Sequence, residues 1–355
     1  MILIPPSIGL RGNIYASLGS RLSTYLHTGK IEPKFEFNPK IAENVYSSTF
    51  LLLVLSIFNG FVAAEIASLI GIHGFSFDLV LNLILISAIA AFLSAIFMVP
   101  ATLALAIGSY MWGWDPDNLT APLITLIGDI VSLPLIFASV DVVFAMNTAV
   151  RISFVLIIIA ITLMLYRLSK GEVGWRIVKE STPILIACAL MNFGAGTILG
   201  HEVESLIAIA GILTIIPAFL EDGGAMGGIL AARFSSMLHL GALEPKPFPE
   251  RDVLRSFAVM HLIGLVVFAL VGVFGQIVNY TLSIPTVPTL YMVASTVVAG
   301  QILIAILNFM AYYFSILSFK KGLDPDNVGI PLITSVMDVL GSGCLILSLK
   351  LFGVI

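Results

Sequence analysis

The chain has 355 residues with a formal net charge of -4; 59% of them are hydrophobic and 11% charged, whereas a soluble domain carries about a quarter charged residues. Water is therefore not its main solvent, and the small, scattered charge leaves no basic face for nucleic acid. Cys188 and Cys344 sit in apolar surroundings without metal-ligand spacing and read as small buried side chains.

Apolar runs between polar or glycine/proline breaks predict ten helices, at about 1–27, 46–72, 77–113, 118–145, 149–167, 177–199, 203–239, 251–279, 285–319 and 327–354. Each is long enough to cross a bilayer, which takes roughly 20 residues. The fold expected is an all-α integral membrane protein with no separate polar domain. The third and ninth helices exceed what a span needs, and Pro100 marks a place for the third to bend. The opening MILIPPSIGLRGN lacks the charged start and the cleavage site of a targeting sequence.

Lys30, Lys34 and Lys40 follow the first helix, Arg167, Lys170, Arg176 and Lys179 the fifth, Lys246, Arg251 and Arg255 the seventh, and Lys320 and Lys321 the ninth. These connections share one side of the membrane, and the other side has little beyond Arg151 and Lys350. The positive-inside rule then makes the basic side cytoplasmic. A multi-pass protein of the cell membrane with its C-terminus outside is expected.

Residues 4–34 align without a gap on 216–246, pairing Pro5 with Pro217, Gly12 with Gly224, Arg21 with Arg233 and His27 with His239. GWDPDNLTAPLITLIGD at 113–129 aligns likewise on GLDPDNVGIPLITSVMD at 322–338. Equivalent helices are an even number apart, which predicts two parallel pseudo-symmetric repeats about an axis along the membrane normal. The repeats are 1–145 and 171–355, joined by a connecting helix within 146–170. The helix at 177–199 has no counterpart in the first repeat, which begins a helix late.

Asp129 and Asp338 end the paired DPDN segments. At 1.5 Å per residue each lies roughly 16 Å along its helix from Asn118 or Asn327, near the bilayer midplane. An ionisable group at that depth is costly and functional by default. Thr125 and Thr334 precede the aspartates by four residues and share their helix face. The resulting all-oxygen wall suits a hard divalent cation, and Mg²⁺ in particular keeps several waters while one or two carboxylates hold it. The alternative is aspartates protonated or hydrogen-bonded within the packing.

Asp117 and Asp326 read as helix caps. GLRGN around Gly12–Asn13 and EDGGAMGG at 221–228 interrupt corresponding helices, either freeing backbone groups for an ion or letting helices approach closely. Gly224 is the second-half partner of Gly12. Glu221 and Asp222 stand where the first half has Gly9 and Leu10, and could bind the ion or pair with Arg11. Arg21 and Arg233 read as snorkelling toward head groups, and His27 and His239 as a weak metal site. Glu65 and Asp141 near outer helix ends read as solvated residues that could also serve ion entry. The Asn279-Tyr280-Thr281 sequon falls on the outer side.

GLRGN with SRLST at 9–24, its copy from Glu221 to Ser236, and the two DPDN-x3-PLIT-x3-D segments resemble the membrane domains of MgtE-type magnesium transporters and of their fused-repeat relatives, solute carrier family 41. The resemblance extends over both halves and implies magnesium as the transported ion, with no cofactor. It implies that Asp129 and Asp338 line the pathway and that Gly12 and Asn13 contribute nearby. Ala225 replaces the asparagine in the second half, and the cytoplasmic magnesium-sensing domains of MgtE are absent from these residues. The partners expected are a divalent metal ion and the lipid bilayer; because both halves can form the pathway together, a monomer suffices. Two other readings stay open: an exporter or exchanger of the cation driven by Na⁺ or H⁺, and an intramembrane aspartic protease whose two aspartates share a proton. No further catalytic motif accompanies the second.

Overall fold

Apolar helices capped by short polar residues are what a computed structural model of the chain contains, describing residues 3–69, 74–201 and 210–354. Ten long helices run as α1 (Ile4–His27), α2 (Pro39–Leu69), α3 (Phe77–Met111), α4 (Pro116–Ala145), α5 (Thr148–Leu168), α6 (Glu172–His201), α7 (Ile216–His239), α8 (Arg251–Thr281), α9 (Thr289–Lys320) and α10 (Pro325–Leu351). Ser76, Asp115, Asn147 and Asp324 each accept a backbone N–H at the start of α3, α4, α5 and α10, filling one of the four donors that a helix start leaves free. Prolines at the first or second position open α1, α4, α7 and α10, where the missing N–H costs nothing.

Several expectations need correction. The caps are Asp115 and Asp324, whose side chains accept from the backbone of Asp117 and Asp326 at 3.0 and 3.1 Å; Asp117 and Asp326 point elsewhere. Neither α1 nor α7 is interrupted at its glycines. A helical glycine costs only about 1 kcal/mol relative to alanine, and packing absorbs it. Of the two roles considered for these glycines, close approach is the one seen: a Cβ on Gly228 would lie 3.0 Å from that of Ala121, and one on Gly12 would lie 3.4 Å from Thr125. The span expected at 203–239 is broken, with a single turn at Ala210–Leu213 and a bend before Pro217. The parts of the expected helices at 1–2, 70–72 and 203–209 lie outside the described residues. The α3 helix continues through Pro100.

Among the described residues nine helices are long and apolar enough to cross a membrane. The α1 helix is not one of them, because Arg11, Asn13, Arg21 and a run of serines dilute it; the bundle encloses it instead. It packs on α2, α3 and α4 and crosses to α6, α7 and α10 of the other half. One apolar core gathers α7 to α10, and two others serve the first half. The halves meet where α1 packs on α6, α7 and α10, α4 on α7, and α2 on α6.

That seam joins the halves through buried polar groups. Arg21, 2% exposed, does not snorkel. Its guanidinium donates to Asn44 at 2.9 Å, Ser48 at 2.7 Å and Asn327 at 2.9 Å, tying α1 to α2 and α10. A buried cation is tolerated only with such partners. Arg233, by contrast, is exposed. Asn279 of the sequon is fully buried and donates to the Gly211 carbonyl at 2.9 Å, so its amide is not available for glycosylation in this fold.

Candidate functional site

Four helices supply most of a cavity of about 360 Å³ between the halves. From α1 come Ile4, Ile8, Gly9, Gly12 and Asn13, and from α4 Thr125 and Asp129. The α7 helix adds Pro217, Leu220, Glu221, Gly224 and Ala225, and α10 adds Thr334 and Asp338. Asn192 of α6 completes the wall. Positions paired by the internal alignment (Gly12 with Gly224, Thr125 with Thr334, Asp129 with Asp338) thus line one space. Glycine backbones at 12 and 224 keep it wide enough between the threonine-bearing faces.

Three carboxylates converge there. Asp129, Glu221 and Asp338 are partly buried, close enough for the charge on Glu221 to act on both aspartates. One oxygen of Glu221 has no hydrogen-bond partner. Yet among the described residues the only His, Cys, Asp or Glu trio with ligand atoms within 4.8 Å of one another is His27, Asp115 and Asp117. Asp129, Glu221 and Asp338 do not all come within that distance of one another, which fits a cation that keeps part of its water shell.

Both threonines are oriented by their own helices. Thr125 donates to Ala121 and Pro122 carbonyls at 3.0 Å, and Thr334 donates to Ile330 at 3.0 Å and is also bonded to Asn13 Oδ1. Asn13 Nδ2 donates to Ser335 at 2.8 Å. The Asn13 amide is therefore engaged on both sides and forms the cavity floor by joining α1 to α10. Asp222 is not part of this cavity; it lines a separate, mostly apolar one with Thr214, Ile215, Ala218 and Phe274. Arg11 pairs with neither Glu221 nor Asp222; its closest partner is the Ser132 carbonyl at 3.4 Å. Glu65 is partly buried and Asp141 exposed, and neither lines the cavity.

Below the floor a polar seam leads toward the end of the bundle that carries His27 and His239. Asp326 accepts from Ser20 at 2.7 Å and Thr24 at 2.8 Å, Thr24 and Ser236 touch across the halves at 3.3 Å, and Ser23 donates to Asp117. At its mouth His27 lies 3.3 Å from Asp115 and 3.8 Å from Asp117, and His239 lies 3.5 Å from Asp324. Sequence reasoning read Asp117 and Asp326 as caps and missed this seam. The signal was the hydroxyl pair Ser23–Thr24, which recurs at Ser235–Ser236, with Ser20 one turn before it in the first half.

The hydrogen bond from His27 holds the Asp115 carboxyl below its ordinary range. Its cap and ion-pair role is therefore present above the unfolded pKa and is lost as pH falls through the lowered folded value. Asp115→Ala is expected to cost about 1 kcal/mol at neutral pH. In thermal melts the gap to wild type should narrow below about pH 4.

Among the described residues, nine helices long and apolar enough to cross a membrane, with an acidic cavity inside the bundle, define a multi-pass membrane protein. The family model described as MgtE, divalent cation transporter, matches residues 4–139 and 216–348, well over half of the chain. Solute carrier family 41 member 3 of Mus musculus is 27% identical over 370 residues, covering 98% of this chain and 74% of that protein. The Rattus norvegicus counterpart is 28% identical, with 98% and 78% covered. Solute carrier family 41 member 2 of Homo sapiens is 27% identical, covering 98% of this chain and 63% of that protein. No solved structure matches the chain. The chain belongs to the MgtE family of divalent cation transporters. It is a transporter and not an enzyme, which removes the protease reading.

Proposed function

We propose that the chain carries Mg²⁺ across the cell membrane through one pathway between two parallel repeats, lined by Asp129 and Asp338. The observation that carries this reading is the convergence of Asp129, Glu221 and Asp338 on one cavity whose other polar lining is oxygen and amide. Mg²⁺ releases water reluctantly and is bound through few carboxylates. Carboxylates that do not all meet at direct-ligand distance, backed by threonine hydroxyls, hold such an ion by its water shell. Thr125 and Thr334 accept from that water, and Gly12 and Gly224 leave it space. Both halves supply the lining from one chain, so a monomer carries the pathway. The positive-inside rule puts the His27 end in the cytoplasm and the C-terminus outside, so the cavity faces outward and the seam below Asn13 is the closed inner side.

The test is Mg²⁺ flux into proteoliposomes. Wild type should conduct, and the Asp129→Asn, Asp338→Asn double variant should not; a double variant with wild-type flux overturns the reading. Repeating the measurement with and without an imposed Na⁺ or H⁺ gradient separates passive flow from coupled exchange. Ca²⁺ and Mn²⁺ in competition rank the ions.

A further inference from the structure

We propose that Asn192 is an ion-contacting residue of this pathway, an uncharged amide that hydrogen-bonds the water shell of the cation from the cavity wall beside Gly9. The inference rests on the cavity being the ion pathway. Asn192 is 4% exposed, lines the cavity, and neither its Oδ1 nor its Nδ2 has a hydrogen-bond partner. An unpaired buried amide costs stability, and a polar group kept at that cost is one that a ligand completes.

Two features hold it there. The Cys188 thiol, four residues earlier on the same face of α6, donates to the Pro331 carbonyl at 3.1 Å and fixes that face against α10. Gly9 then makes room, since a Cβ at Gly9 would collide with Asn192 Nδ2. In the internal alignment Gly9 is the partner of Glu221. Where the second half offers a carboxylate, the first half removes its side chain and α6 fills the gap with an amide. The other asparagine of the cavity, Asn13, cannot serve in this way because Ser335 and Thr334 occupy its amide. An amide there adds hydrogen-bonding capacity without a fourth negative charge, which would hold a divalent ion too tightly to release.

The test uses the full-length protein in proteoliposomes with Mg²⁺ as the probe. Asn192→Leu is of similar size and removes the unpaired amide, so a purely structural role predicts equal or better thermal stability with transport unchanged. The proposal predicts that the KM for Mg²⁺ rises about tenfold, the size of one lost hydrogen bond to a charged group, at an unchanged maximal rate. Asn192→Asp should do the opposite, lowering KM and slowing the maximal rate through retarded release. Wild-type KM in Asn192→Leu overturns the proposal. Should that variant not fold, wild-type KM in Asn192→Asp overturns it equally. The Asp129→Asn, Asp338→Asn variant in the same vesicles tells the two failures apart. If it still conducts, the pathway reading fails; if it is silent while both Asn192 variants behave as wild type, only the role of Asn192 fails.

Discussion

Asp338→Asn alone is expected to reduce Mg²⁺ flux by more than about a hundredfold, and Asp129→Asn to do the same. A divalent ion held through one water lies about 5 Å from a carboxylate; at an effective dielectric of 20–40 each such contact supplies roughly 3–7 kcal/mol. Even the lower figure exceeds two decades in affinity. Asparagine preserves the shape and the hydrogen-bonding reach, so folding is retained and only the charge is lost. Glu221→Gln should be milder, raising the half-saturating Mg²⁺ concentration by about tenfold, because its position in the first half is Gly9 and the two aspartates remain. Isothermal flux assays over a Mg²⁺ series separate these outcomes. Equal losses at all three positions would mean that the cavity acts as a single ring of direct ligands, although its three carboxylates do not all lie within 4.8 Å of one another.

The ten helices and the buried aspartates could be read from sequence because both depend on local pattern: apolar runs of membrane length, and one carboxylate at a fixed distance from a DPDN start. What escaped depended on neighbours. Arg21 near a helix end reads as a snorkelling residue, and only the approach of Asn44, Ser48 and Asn327 from two other helices makes its burial affordable. Asp117 and Asp326 have the composition of caps, but Asp115 and Asp324, two residues earlier, take that role and free them for the seam. The glycines were legible as important and not as to how, since an unbroken helix and a broken one carry the same letters. Asn192 gave no signal at all. It sits on the helix without a repeat partner, so the comparison of halves that singled out the aspartates had nothing to set beside it.

A disulfide between positions 24 and 236 is expected to arrest transport and release it on reduction. The Thr24 and Ser236 hydroxyls touch at 3.3 Å across the two halves, so cysteines at both sites can approach the Cβ separation of about 3.8 Å that a disulfide needs. Both side chains are buried below the cavity floor, at 1% and 4% exposure. Any ion leaving the cavity along the seam must part them. With Cys188 and Cys344 replaced by alanine, the Thr24→Cys, Ser236→Cys protein should conduct when reduced, fall to background after oxidation, and recover with a thiol reductant. Either cysteine alone should not respond to oxidant. A fully cross-linked protein that still carries Mg²⁺ would show that ions leave the cavity by another route. Arrest without any loss of equilibrium Mg²⁺ binding would separate the two functions of the interface: the carboxylates hold the ion, and the hydroxyl and carboxylate contacts beneath them govern its passage.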